Sequence, residues 1–450
     1  MAVRSLKRRG VGTLRRLCPV LVVPAPLQRL VQSVVARSRQ LPLGPPLPPT
    51  VLVFDARAVA RVLADYHTFP VRPLYGAKMR ETFGPFLLGL DYEDPADPGA
   101  KSYQEQIALV RAAVGQAAIG PLTEAARRAA SAAIGAAAPA GRLNVVAMLQ
   151  TAMRQFLDEY FGIPEIAGGS ETLLQLNQRT ASYVFNIELF NPGRRADAAA
   201  AGQRILDHLT ALFEAKLRQP STNRLPFVDA LVHAANGQWT ARQLATVTGG
   251  TISGLLVPTT AQFLAVVDHL LDLPPAEYDR LCATASVRSA AIARHAADED
   301  DGRLARYIAE ASRFEPFPTG LQRQCDERAA ERERTVETGG GRRTVIPAGA
   351  IVMALVGAAA CDPRLAPRPG AFAIARGDDE YLLFGTGQHH CVGATRHWPV
   401  AQTLMTEMAT ALFSLPQVRR APGRDGLRTT PKGTQWPTHL FVTWSAGRAR

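Results

Sequence analysis

Phe384-Gly385-Thr386-Gly387-Gln388-His389-His390-Cys391-Val392-Gly393 is the stretch that decides how this chain is read. After the Phe, a Gly follows at +3, a Cys at +7 and a Gly at +9. Glycine takes positive φ at little steric cost and lets the backbone come close to a flat ligand. A cysteine held in such a loop can offer its thiolate to iron, with backbone N–H groups aimed at the sulfur. Those hydrogen bonds, and dry surroundings, tune the potential of the iron. Two plainer readings stand beside this one. A lone cysteine is most often buried and inert. A zinc site at His389, His390 and Cys391 lacks a fourth ligand and the usual spacing.

Other stretches line up on either side. Glu310-Ala-Ser-Arg313 sets an acid and an arginine three apart, on one face of a helix. Phe314-Glu-Pro-Phe-Pro318 then stops that helix, and Arg323 lies ten residues after Arg313. Ile346-Pro-Ala-Gly349, Cys361-Asp362-Pro363 and Pro369-Gly-Ala-Phe372-Ala-Ile-Ala-Arg376 follow in order. Together these stretches resemble the cytochromes P450. The fuller loop pattern of that family, Phe-Gly-x-Gly-x-His-x-Cys-x-Gly, is matched at every fixed position.

The resemblance extends from about residue 40 to 445 and implies a mainly helical fold with small β sheets. It implies one haem b with Cys391 as axial thiolate, and His389 and Arg323 on a haem propionate. Phe384, Gly385, Gly387 and Gly393 shape the loop. It also implies a structural network of Glu310, Arg313 and Arg376 behind the haem. An early helix of the family carries His-x-x-x-Arg; Arg111 is the match, with Ile107 where the His belongs. For Arg111 a solvated helix face is the plain alternative.

The chain departs from the family in two places. The long helix over the haem should carry an acid followed by Thr, which relay protons to dioxygen. Here the stretch is Gly249-Gly-Thr-Ile-Ser-Gly-Leu-Leu-Val257-Pro258-Thr259-Thr260, and no Asp or Glu occurs from Ala241 to Val267. Pro258 stands where the acid belongs, and Thr259 keeps the alcohol. A mid-helix proline removes one backbone hydrogen bond and kinks the helix. After Cys391 the family's Arg at +7 is Trp398, with Arg396 nearby at the expected partner-docking surface.

Composition bounds the rest. With 47% hydrophobic and 20% charged residues, disorder is excluded for the bulk of the chain. Five cysteines without a CxxC pair do not make a disulfide scaffold, so a reducing cytoplasm is expected. Of the 51 basic residues only Lys7, Lys78, Lys101, Lys216 and Lys432 are lysines. The arginines are scattered, so a net charge of +12 gives no nucleic-acid stripe. A basic surface can steer an acidic protein instead.

Residues 1–40 read as a basic leader with at most peripheral membrane contact, and 41–450 as a single P450 domain. The segment Leu41–Pro49 reads as a stiff extended strap. Helical spacing runs over 56–65, 104–118, 121–137, 145–161, 196–219, 240–273 and 275–297, with a small sheet after 340. The expected activity is oxidation of a hydrophobic small molecule in specialised metabolism, as a monooxygenase. Two alternatives stay open. One is a peroxygenase, or an enzyme that rearranges hydroperoxides. The other is a P450-like recruitment domain without catalysis. A ferredoxin-type electron donor is the partner a monooxygenase would need. Pocket walls are expected at 73–90, 183–190 and 250–260.

Overall fold

The computed structural model describes residues 20–23, 48–92, 98–116, 119–137, 141–166, 171–185, 192–221, 226–293, 302–395, 399–429 and 436–445. The strap at 41–47, Arg396, Trp398, the 186–190 part of the expected pocket wall and most of the leader lie outside them. The chain divides into two compact units, each assembled from three stretches. The first comprises Met1–Tyr103, Tyr183–Ala196 and Arg313–Cys391. The second comprises Gln104–Ser182, Asp197–Ser312 and Val392–Arg450.

The first unit is built on a four-stranded sheet. Its strands are β1 (Val20–Val23), β2 (Thr50–Val53), β4 (Leu321–Gln324) and β7 (Ile351–Ala354), in the order β1-β2-β7-β4. β2 and β7 run parallel, pairing Thr50 with Ile351 and Val53 with Ala354. β4 lies antiparallel to β7 and brings Arg323 opposite Val352. β1 is an antiparallel edge strand, so part of the stretch read as a leader belongs to the sheet. Alternating valines put Val51, Val53 and Val352 into a core with Val59, Val62, Leu63, Phe69 and Ile346.

Helix Ala56–Ala64 follows β2 directly. Asp55 caps it, its carboxylate accepting from the N–H groups of Arg57 and Ala58. The same carboxylate accepts from Gly339 N–H and pairs with Arg364 at 3.1 Å. One buried acid thus ties the helix to a hairpin made by β5 (Thr335–Glu337) and β6 (Arg343–Val345), which pair antiparallel.

The second unit is mostly helical. Helix Val145–Phe156 is capped by Asn144 and runs into a π-helical turn at Leu157–Phe161. Phe156, Tyr160 and Phe161 pack ring against ring, and Phe161 meets Phe227 edge-on at 5.1 Å. Gly162 ends the turn at φ 71°, where a Cβ would lie 2.3 Å from Pro226 Cγ. A three-stranded sheet joins β3 (Arg142–Asn144), β8 (Arg419–Arg420) and β9 (Phe441–Thr443) in the order β3-β9-β8.

The longest helix of this unit, Ala241–Leu270, starts from a Thr240–Gln243 capping box. It is buried along most of its length because its residues are apolar all round. Among the described residues it alone is long and apolar enough to cross a membrane, and 78% of its most apolar window is buried in the protein. Its C-terminal end is held by Arg420, which pairs with Asp268 at 2.7 Å and Asp272 at 2.9 Å.

Candidate functional site

The loop from Leu382 to Cys391 is shaped by its own backbone. Gly385 N–H donates to Leu382 O at 3.2 Å, His390 N–H to Gly387 O at 3.1 Å, and Cys391 N–H to Phe384 O at 3.1 Å. Gly385 and Gly387 hold φ of 70° and 74°, the left-handed region the sequence pattern foretold. At Gly387 there is a second reason for glycine. A Cβ there would lie 2.7 Å from Ala64 Cα and 3.1 Å from Leu63 O, so the loop sits directly on the end of helix Ala56–Ala64.

Cys391 is half-buried at the end of this loop and in no disulfide. Among the described residues no three His, Cys, Asp or Glu side chains gather to hold a metal ion.

The residues beside it are short of partners. Neither ring nitrogen of His389 has a hydrogen-bond partner although both are buried. Burial, and then the charge of Arg323, push its pKa down to about 3, so the imidazole is neutral. Tyr103 OH donates to Gln388 O at 2.7 Å and its ring meets the His389 ring edge-on, centroids 5.1 Å apart.

Arg323, on β4, is only 5% exposed. Its guanidinium donates to Gln322 O at 2.8 Å and makes no ion pair with any described carboxylate. Burial lowers its pKa below the usual arginine value, against the opposing influence of Tyr75 and Asp91. The Asp91 carboxylate instead accepts from the N–H groups of Val71 and Arg72. A buried cation with no paired anion, beside a buried imidazole with two vacant nitrogens, fits a carboxylate such as a haem propionate. The residues present fit the group that the sequence implied.

Arg313 is fully buried and donates to three carbonyls: Ala360 at 3.1 Å, Pro369 at 2.9 Å and Ala371 at 3.2 Å. Arg376 donates to Pro367, Arg368 and Ala371 carbonyls and pairs with Glu380 at 3.0 Å. The two arginines therefore share the Ala371 carbonyl, and the acid seen on Arg376 is Glu380, which the sequence reading did not enlist. Glu310 is fully buried on the same helix as Arg313, Arg303–Phe314.

Cys391, His389, Phe384, Gly385, Gly387, Arg323, Arg313 and Arg376 belong to the first unit; Thr259, Pro258, Arg111, Glu310 and Gly393 belong to the second. Pro258 lies inside helix Ala241–Leu270, where it deprives the Gly254 carbonyl of its usual donor. Thr260 gives its hydroxyl to Leu256 O at 2.6 Å. The buried Thr259 hydroxyl makes no hydrogen bond among the described residues, so it is the available one of the pair. Arg111 lies exposed on helix Tyr103–Gln116, unlike the buried Arg323. Tyr75 and Asp91 act on Arg323, and Tyr103 meets His389; Tyr75 lies in the expected pocket wall at 73–90, whereas Asp91 and Tyr103 had no sequence signal, since only the fold brings them there.

No family model matches the chain. A bifunctional dioxygenase–epoxy alcohol synthase of Fusarium oxysporum is 31% identical over 211 residues, covering 43% of this chain and 15% of that protein. A linoleate diol synthase of Gaeumannomyces graminis is 28% identical over 120 residues, covering 27% of this chain and 9% of its own. The chain thus spans a small part of the curated relatives it matches. Among solved structures, CalO2 is similar at a TM-score of 0.71 and 20% identity, covering 99% of this chain and 98% of that one. The P450 haem domain of Tepidiphilus thermophilus gives 0.68 at 16% identity, covering 98% and 94%. The chain has the cytochrome P450 fold.

Proposed function

We propose that this chain is a haem-thiolate oxidoreductase that rearranges an unsaturated, hydrophobic hydroperoxide, with residues 41–450 working as one P450 domain. The observation that carries the choice of reaction is the stretch Ala241–Val267, which holds no carboxylate and sets Pro258 directly before the available Thr259 hydroxyl. A relay of acid and alcohol would have only its alcohol here. Delivering a proton to dioxygen-derived oxygen is the step such a relay assists, and general acid–base assistance is worth about 10²–10⁴ in rate.

A hydroperoxide avoids the reductive steps. An unsaturated hydroperoxide and an epoxy alcohol are isomers, so their interconversion needs no outside electrons. The name of the Fusarium relative, a dioxygenase–epoxy alcohol synthase, supports this reading.

Haem ligated by thiolate would supply cleavage of the O–O bond. The chain's own residues hold it. Cys391 offers the sulfur, while the Phe384–Cys391 backbone bond fixes the turn that presents it. Arg323 and neutral His389 receive a propionate, the first with a full charge and the second with one N–H. Tyr103 holds the loop by its bond to Gln388 O. Thr259 keeps a hydroxyl able to donate to a peroxide oxygen. Arg111, exposed on helix Tyr103–Gln116, is the second propionate partner. The substrate's carbon skeleton is a hydrophobic chain or ring, and the compartment is cytoplasmic.

The second reading is a monooxygenase with a ferredoxin-type donor, favoured by the intact cysteine loop. Anaerobic incubation of the purified holoprotein with linoleic acid hydroperoxide, without reductant, separates the two. Rearrangement predicts loss of hydroperoxide and an isomeric product retaining both oxygens. No consumption there, with NADPH-coupled hydroxylation through ferredoxin and its reductase, would overturn the proposal.

A further inference from the structure

The chain has nine tyrosines, and three of them form one line that ends on His389. The Tyr103 ring lies 5.1 Å from the His389 ring, Tyr92 lies 5.7 Å from Tyr103, and Tyr66 lies 6.0 Å from Tyr92. Beyond Tyr66 the exposed imidazole of His67 follows at 4.0 Å. All five residues belong to the first unit. The line runs from inside to outside: Tyr103 is 3% exposed, Tyr92 and Tyr66 are half-buried, and His67 is open to solvent.

Ordinary aromatic packing looks different in this protein. The cluster at Phe156, Tyr160, Phe161 and Phe227 is buried throughout and mostly phenylalanine. Phenylalanine serves packing as well as tyrosine does. A chain made only of phenols, at close ring spacing and with one end in water, has a property that phenylalanine lacks. Each ring can give up one electron as it loses its phenolic proton.

We infer that Tyr103, Tyr92 and Tyr66 form a relay that carries oxidising equivalents from the haem edge at His389 to the surface at Tyr66 and His67, giving the protein a second, peroxidase-type activity on small one-electron donors. The inference rests on the reading of Cys391 as a haem ligand. The oxidant is an organic hydroperoxide and the donors are phenols or ascorbate. The O–O bond breaks, one oxygen leaves in the alcohol and the other in water. Two donor molecules supply the two electrons and two protons, each becoming a radical.

Proton chemistry sets the direction. Tyr103 donates to a backbone carbonyl, Gln388 O at 2.7 Å, which is a poor base. Its proton stays shared with that hydrogen bond while the ring is oxidised and returns when Tyr92 supplies the electron, so Tyr103 is a station on the line and not its end. At Tyr66 the neighbouring imidazole of His67 and solvent can take the proton, so the radical settles at the surface. The relay empties an oxidised site when no rearrangeable substrate is bound, and spares the buried loop.

The test uses the haem-loaded full chain and the variants Tyr66→Phe and Tyr92→Phe, which keep the rings and remove the phenols. Haem loading is read first, from the spectrum of the reduced carbon monoxide complex. Each protein is then mixed with cumene hydroperoxide, frozen within milliseconds and examined by electron paramagnetic resonance; guaiacol oxidation is followed separately. The relay predicts a tyrosyl radical in the wild type, and in Tyr66→Phe the loss of the signal of that exposed ring. It predicts loss of guaiacol oxidation in Tyr92→Phe, with hydroperoxide rearrangement retained. Normal haem loading without a tyrosyl signal, or with a signal and guaiacol oxidation unchanged in both variants, overturns the relay alone. Absence of haem in the wild type overturns the haem reading, and the relay with it.

Discussion

At the scale of the residue, Gly387 and Arg323 carry the most specific consequences. Gly387 sits at φ 74° with helix backbone where its Cβ would be, so alanine meets two penalties. The left-handed conformation alone costs about 1–2 kcal/mol for an L-residue. The contact at 2.7 Å is against Ala64 Cα, which cannot swing aside as a side chain could. Gly387→Ala is expected to lower thermal stability and haem content together, measured by calorimetry and the haem absorbance of the purified protein. Gly385 is a milder case, its Cβ position meeting only Leu321 Cδ1 at 3.6 Å.

Arg323 permits a test that separates ligand binding from folding. Its buried charge has no carboxylate partner among the described residues, and desolvating an unpaired charge is unfavourable. Arg323→Met therefore should leave the haem-free protein as stable as wild type, or more so, while weakening haem retention. A residue that served folding alone would lower the stability of both forms. Arg313 is that contrasting kind. Its guanidinium satisfies three carbonyls, and Arg313→Ala would leave them without that donor, at about 1–3 kcal/mol for each buried group left unsatisfied. Urea unfolding of the haem-free chain should show the loss for Arg313→Ala and none for Arg323→Met.

At the scale of the element, the helix Ala241–Leu270 holds the departure that matters. Thr259 and Thr260 differ only in that Thr260 returns its hydroxyl to the preceding turn. Thr259→Ala is thus expected to slow dioxygen-dependent turnover more than hydroperoxide turnover, and Thr260→Ala to alter neither strongly. Steady-state rates with each oxidant check this. Pro258→Glu restores both a carboxylate and a backbone donor, and should raise dioxygen-dependent turnover.

Helices with strong periodicity could be read from sequence to within a few residues. Thr240 marked the start of the long helix because its side chain reaches Gln243 N–H, a purely local bond. The expected helix over 145–161 is interrupted only in winding, at the π-helical turn before Gly162. Among the described helices of more than one or two turns, four were not foreseen: Arg72–Thr82, Leu173–Val184, Phe227–Ala235 and Val400–Phe413. The first of these has little amphipathic pattern and is held by tertiary contacts, such as Asp91 accepting at its start. Strand Val20–Val23 was hidden for a similar reason, since four apolar residues between prolines gain a partner only when β2 is in place.

At the scale of the whole molecule, the site could be read where the chain itself is local and was silent where it is not. The loop Phe384–Gly393 declares its turns through glycine spacing. The polar surroundings of His389 come from Tyr103 and Arg323, and Asp91 acts in turn on Arg323, residues far apart in sequence and joined only by the fold. Arg376 also pairs with Glu380, an acid presented by a turn that no motif encodes. The proposed function depends on one bond, from Cys391 to the iron of a haem. A thiolate donates strongly to iron and moves the band of the reduced carbon monoxide complex far to the red of a histidine-ligated haem. The decisive measurement is that spectrum, recorded on purified wild type and on Cys391→Ala reconstituted with haem. Ligation by Cys391 predicts the red-shifted band in the wild type and its disappearance in the variant. A wild type that binds no haem, or a Cys391→Ala protein that keeps the red-shifted band, would contradict it.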